Sequence, residues 1–255
     1  MDLEELLAKS PSELQHFGVK GMKWGVRKAK DAINSKDRTL SKGTEIQNIT
    51  RGEYKNKEGK HLYSSYTDAD NAHYVDNMAS FMYDGKGYRN EFKVKKDIKI
   101  PSDKKLVETF VAVAKANPDK VARDMSAAYG ESHLILTKSK KAFLKKIKDI
   151  NPEDLATGEK LTKKYISDMV SSKAKTSRAL FIASLIDQGY SAMSDTNDRD
   201  QLGGTQDPLI IFNPGKDLST PKSMKLTPKV IQSYYDYTTT KEYKELKADL
   251  SSIQN

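Results

Sequence analysis

The chain predicts an α+β fold carried behind an N-terminal arm. Short stretches of two-residue apolar alternation sit mainly in the first hundred residues, and stretches of helical periodicity dominate afterwards. The first 42 residues sustain neither pattern for long. Small mixed or antiparallel sheets with a helical insert satisfy that order better than a doubly wound sheet.

The arm, residues 1–42, starts with a narrow stripe of Leu3, Leu6 and Leu7. Ser10 then offers a cap, Pro11 suits a first helical turn and Glu13 completes a capping box. A glycine-rich peptide follows to Arg27, and residues 28–42 are polar and lysine-rich. The domain, residues 43–255, begins near Gly43. Thr44 to Thr50 alternates around Ile46 and Ile49, Gly52 to Gly59 is a charged turn, and His61 to Thr67 is a second strand. Asp68 caps a helix to about Met82, with Ala72, Val75, Ala79 and Met82 on one face. Glu91 to Ile100 is a third strand with a register break near Lys96.

The helical insert spans about 102–175. Ser102 caps a helix bearing Leu106, Phe110 and Val113. Asn117–Pro118 and Asn151–Pro152 each restart one, because proline fits the first turn and breaks an interior. Thr176 to Gln188 is an apolar helix closed by Gly189. Pro208 to Phe212 is a short buried-type strand. Thr227–Pro228 opens a C-terminal helix, about 228–252, with Val230, Tyr234 and Tyr237 on one face.

Composition excludes several classes. Cysteine is absent, which removes disulfides, thiol nucleophiles and cysteine-ligated metals. No apolar run approaches the ~18 residues that span a bilayer, and no secretory signal opens the chain. The four histidines show no i, i+4 pairing, so no metal site is expected. The loop Asp195 to Asp200 is oxygen-rich, but Arg199 and Gln206 stand where calcium-loop ligands belong, and it reads as a solvated turn. The net charge of +9 concentrates in residues 16–30 and 138–148. Those patches suit nucleic acid or another polyanion, but the second, with Phe143, Ile147 and Ile150 at helical spacing, reads first as a solubilising lysine face on a helix.

The stretch His16 to Arg27, HFGVKGMKWGVR, is the most specific local signal. Its glycines make it a poor helix, yet Phe17, Val19, Met22 and Trp24 sit among Lys20 and Lys23 as anchors for docking. It resembles the HFGVKGMKWG peptide found near the N-termini of varied tailed-phage proteins, many encoded among head genes. The resemblance implies a phage origin, a structural partner bound through His16, Phe17, Val19, Lys20, Met22, Lys23 and Trp24, and residence in the virion and in the host cytoplasm during infection.

A second pattern is dispersed. Arg51 ends the first expected strand, Ser64, Ser65 and Thr67 lie on the second, and GYSAMSDTND (Gly189 to Asp198) precedes TQDPLIIF (Thr205 to Phe212). This order resembles the mono-ADP-ribosyltransferase fold, and residues 43–221 are similar to a phage family that follows the docking peptide. The resemblance implies an NAD site in which Arg51 pairs with the pyrophosphate, Ser64 or Ser65 orients the nicotinamide ribose, and Tyr190 lies nearby. A carboxylate before the late strand would stabilise oxocarbenium character. Gln206 and Asp207 stand where the family carries its glutamate, so Asp207 is the candidate acid and Gln206 a substrate-orienting amide. Three functions remain open at this point: a virion protein with a degenerate transferase fold, an active NAD-dependent transferase delivered to the host, and a basic nucleic-acid-binding protein.

Overall fold

A computed structural model describes residues 36–55, 60–77, 87–129, 145, 175–196, 198, 205, 207–241, 243–245 and 248. The docking peptide, the arm helices, the Asn151–Pro152 helix, most of the 138–148 patch and Gln206 lie outside the described residues. What is described mixes α-helices with antiparallel sheets.

The central antiparallel pair is β2 (Glu45–Arg51) against β4 (Gly87–Lys93), paired over seven positions from Glu45↔Lys93 to Arg51↔Gly87. Ile46 and Phe92 face each other in this register and both are buried, so one apolar cross-strand pair fixes which face turns inward. β8 (Lys222–Lys225) adds to the outer side of β4. The expected third strand is two strands. The break near Lys96 is a bend, and the chain re-enters as β5 (Ile98–Ile100).

β3 (Leu62–Ser64), β7 (Leu209–Ile211) and β6 (Ala192–Ser194) form a second sheet with β7 in the middle. Backbone bonds stitch the sheets together. Gln47 and Ser65 exchange both bonds between β2 and β3, and the Ser191 amide donates to the Lys99 carbonyl beside β5. The folded region begins earlier than Gly43, because β1 (Arg38–Leu40) pairs with β5 inside the stretch assigned to the arm. A three-residue strand with one buried apolar residue, Leu40, has no local signature. Its partner supplies the order.

Helices cover the other side. α1 (Asp68–Asn77) starts where Thr67 accepts the Asp70 amide, at 3.1 Å. α2 (Asp103–Ala116) starts at Ser102, whose hydroxyl accepts the Lys105 amide, and buries Leu106, Phe110 and Val113 at helical spacing. α3 (Pro118–Tyr129) restarts at Pro118. α4 (Lys175–Asp187) ends in a Schellman motif: the Gly189 amide bonds Ile186, the Tyr190 amide bonds Leu185, and Gly189 takes a φ of +88° that a β-carbon disfavours. A short helix, α5 (Pro214–Asp217), links β7 to β8.

α6 (Pro228–Thr238) stops well short of residue 252. The hydroxyls of Thr238, Thr239 and Thr240 each bond back three residues to the carbonyls of Tyr235, Asp236 and Tyr237, and this competition ends the helix. Thr240 then caps a new helical turn by accepting the Tyr243 amide.

Among the described residues the two largest apolar clusters lie one on each face of the β3–β7–β6 sheet. Met193 and Ile210 pack with Leu106, Phe110, Phe181 and Leu185 of α2 and α4. The alternate residues Leu62, Ala192, Leu209 and Ile211 pack with Ile46, Phe92, Ile98 and Ile100 of the other strands. This period-two division is what places the polar residues below.

Candidate functional site

Ser64, Leu209 and Ser194 occupy one row across the second sheet, since Leu209 pairs with both serines. Cross-strand partners share a face, and Asp207, two residues before Leu209, projects to that same side. The end of the inter-sheet core is therefore polar. Ser194, Asp207 and Ser64 are all buried there.

Arg38 reaches in from β1 and grips Asp207 with both terminal nitrogens. Nη2 donates to Oδ1 at 3.0 Å and to the Ser194 hydroxyl at 2.9 Å, while Nη1 donates to Oδ2. The Tyr66 hydroxyl also donates to Oδ2, and the Ser194 hydroxyl lies 3.2 Å from Oδ1. The Asp207 amide donates to Asp70 Oδ2 at 3.0 Å, so α1 fixes the backbone as well. Asp207 is 2 % exposed. A forked guanidinium on a carboxylate gives two parallel charge-assisted bonds, a strong and geometrically selective pairing. Burial first, and then the neighbouring Asp207 carboxylate, push the Tyr66 phenol far above its ordinary range, which keeps it a donor.

The sequence-derived residues separate in space. Ser65 is 1 % exposed and its hydroxyl is bound to the Asn71 side chain, while its backbone pairs with Gln47. Tyr190 donates to Asp37 Oδ2 at 2.6 Å and belongs to the helical core. Arg51 is exposed, at the far end of β2 and opposite Gly87. It stands four residues beyond Gln47, which is about 13 Å along a strand from the point where β2 meets Ser65. Arg51 therefore does not join Ser65 and Asp207, and the arginine at Asp207 is Arg38. Among the described sequence-derived residues, Ser64 has a hydroxyl that is buried without a hydrogen-bond partner.

Arg38 carried no sequence signal. It lies in a lysine-rich stretch that reads as arm, and its partner is 169 residues away. Asp195 departs from expectation too. It is 2 % exposed, not solvated, because its amide donates to the Pro208 carbonyl and fixes the approach to β6 and β7. Asp198 receives the Tyr74 hydroxyl at 2.7 Å, and burial followed by Asp198 pushes that phenol upward.

At the margin of the site, Asp37 accepts the Ser102 amide at 2.8 Å as well as Tyr190. Burial raises the Asp37 pKa, but the bonds from Tyr190 and Ser102 outweigh it and the net shift is downward. The Tyr190 phenol is pushed up to about 12, by burial first and then by Asp37. Among the described residues no group of three or more acidic or histidine side chains is gathered for a metal, and no helix is long and apolar enough to cross a membrane.

Comparison with known proteins touches only the arm. A model of a family of unknown function, DUF7211, matches residues 8–31, a span that contains the docking peptide. No curated protein and no solved structure matches the chain.

Proposed function

We propose that this is a phage virion-associated protein, tethered to another structural protein by residues 16–27, whose α+β domain serves as a non-catalytic module of ADP-ribosyltransferase-like descent. The tether rests on the resemblance of His16 to Arg27 to the tailed-phage peptide. The non-catalytic assignment rests on Asp207. A carboxylate that stabilises a developing cation must face the reacting atom. Both oxygens of Asp207 instead face Arg38, Tyr66 and Ser194.

NAD does not fit the residues present. The candidate pyrophosphate arginine is remote from Asp207, and the Ser65 and Tyr190 hydroxyls are engaged within the protein. The active-transferase reading has one observation in its favour, the unpartnered buried hydroxyl of Ser64. It requires Arg38 to leave Asp207.

Particle association is the test of the tether. Purified virions should contain the wild-type chain and lose it when Trp24 is replaced by Ala. Retention of the Trp24→Ala chain at wild-type copy number would refute docking through this peptide.

A further inference from the structure

A cleft of about 170 Å³ opens between the end of β4, the segment after β2 and the 214–221 turn. Its walls include Tyr54, Phe92, Pro214 and Pro221, with Lys95 and Ser219 at its polar side. None of these residues belongs to the Asp207 network. Phe92 is buried and meets Tyr54 edge to face at 5.1 Å, so Tyr54 is the ring of the pair that reaches the surface. Lys95 donates to the Gly215 carbonyl at 2.9 Å. A carbonyl orients the ammonium without cancelling its charge.

The charge continues past the cleft. Residues 93–97 and 214–222 hold five lysines (Lys93, Lys95, Lys96, Lys216 and Lys222) against Asp97 and Asp217. Two of the five meet acids, Lys93 with Glu45 and Lys96 with Asp217. A ring-sized recess with an aromatic side chain, two prolines and a lysine has the chemistry that holds one flat base beside a phosphate. Flanking cations that extend beyond the recess match a ligand longer than one nucleotide.

We infer that this cleft binds single-stranded nucleic acid, with one base seated against Tyr54 and the adjoining phosphate on Lys95. The cleft residues lie outside the 16–30 and 138–148 stretches of the sequence, and the inference is independent of the virion assignment. A base on Tyr54 needs an unstacked strand, so single strands bind better than duplex. The phosphate on Lys95 makes the binding salt-dependent.

The experiment is fluorescence anisotropy of the full chain with a labelled oligothymidylate between 50 and 200 mM salt, beside the equivalent duplex and a polyglutamate competitor. Tyr54→Ala should weaken single-strand binding about tenfold or more, and Tyr54→Phe should retain it. Lys95→Gln should lower the log–log salt slope by about 0.7, the value of one phosphate contact on a single strand. Should Tyr54→Ala fail to fold, photocrosslinking a bromouridine-substituted strand to the wild-type chain and mapping the adduct replaces it, with attachment expected at Tyr54. Wild-type affinity in both Tyr54→Ala and Lys95→Gln would overturn the inference, and so would a crosslink confined to residues 16–30 or 138–148. Preference for duplex, or displacement by polyglutamate at equal charge concentration, would mark the surface as a generic or acidic-protein site and overturn it too.

Discussion

Arg38 and Asp207 form a two-pronged ion pair that joins the first strand of the fold to the approach of β7. The Arg38 side chain is 19 % exposed and the Asp207 side chain 3 %, so the carboxylate is the deeply buried partner. Removing the cation leaves it uncompensated. Arg38→Met should therefore destabilise the protein by about 3 kcal/mol in urea unfolding. The double variant Arg38→Met, Asp207→Leu should recover most of that loss, because a buried pair exchanged whole for apolar side chains is often neutral. A double variant as unstable as the sum of its parts would contradict the coupling.

Ser64 and Ser65 are neighbours with opposite expected behaviour. The Ser65 hydroxyl bonds Asn71, and Ser65→Ala should cost about 1 kcal/mol. The Ser64 hydroxyl is buried without a hydrogen-bond partner, so Ser64→Ala should leave the melting temperature unchanged or raise it. A clear loss of stability in Ser64→Ala would show that the hydroxyl is satisfied in solution, by water or by a ligand.

The Asp37–Tyr190 contact makes stability fall at both extremes of pH. Asp37 has a lowered pKa, so its contribution is present above the ordinary value of 3.8 and is lost as the pH falls through the folded value. Tyr190 is raised from 10.0 to about 12, so its contribution is complete below pH 10 and is lost as the pH rises toward 12. Denaturant midpoints followed across pH should show the alkaline loss in the wild type and a weaker one in Tyr190→Phe. Identical alkaline profiles would exclude the contact.

Trp24 tests the arm separately from the domain. Trp24→Ala should cost at least about 2 kcal/mol of partner binding and leave the unfolding transition of the domain unchanged. Lost domain stability with partner binding intact would make Trp24 a core residue.

The sequence reveals the elements that carry a local mechanism. Ser102, Asn117–Pro118, Gly189 and Thr227–Pro228 mark helix boundaries by capping chemistry, and the structure uses each of them. β1, β6 and β8 were not legible, because strands of three or four residues take their order from partners distant in sequence. The same reason hid the site. Ser64, Ser65 and Asp207 stand out by strand position, but which arginine meets Asp207 depends on β1 pairing with β5. No pattern around Arg38 records that pairing. The transferase resemblance points to Arg51 at the end of the first expected strand, and the extended β2 carries it away.

Arg38 grips Asp207, and we propose that Asp207 serves the protein as that structural partner rather than as a catalytic acid. Titration of the wild-type chain with NAD to millimolar concentration, with nicotinamide release measured in the same samples, tests it most directly. No saturable heat and no nicotinamide above the uncatalysed background are expected. Saturable NAD binding with nicotinamide release that Asp207→Asn abolishes would contradict it.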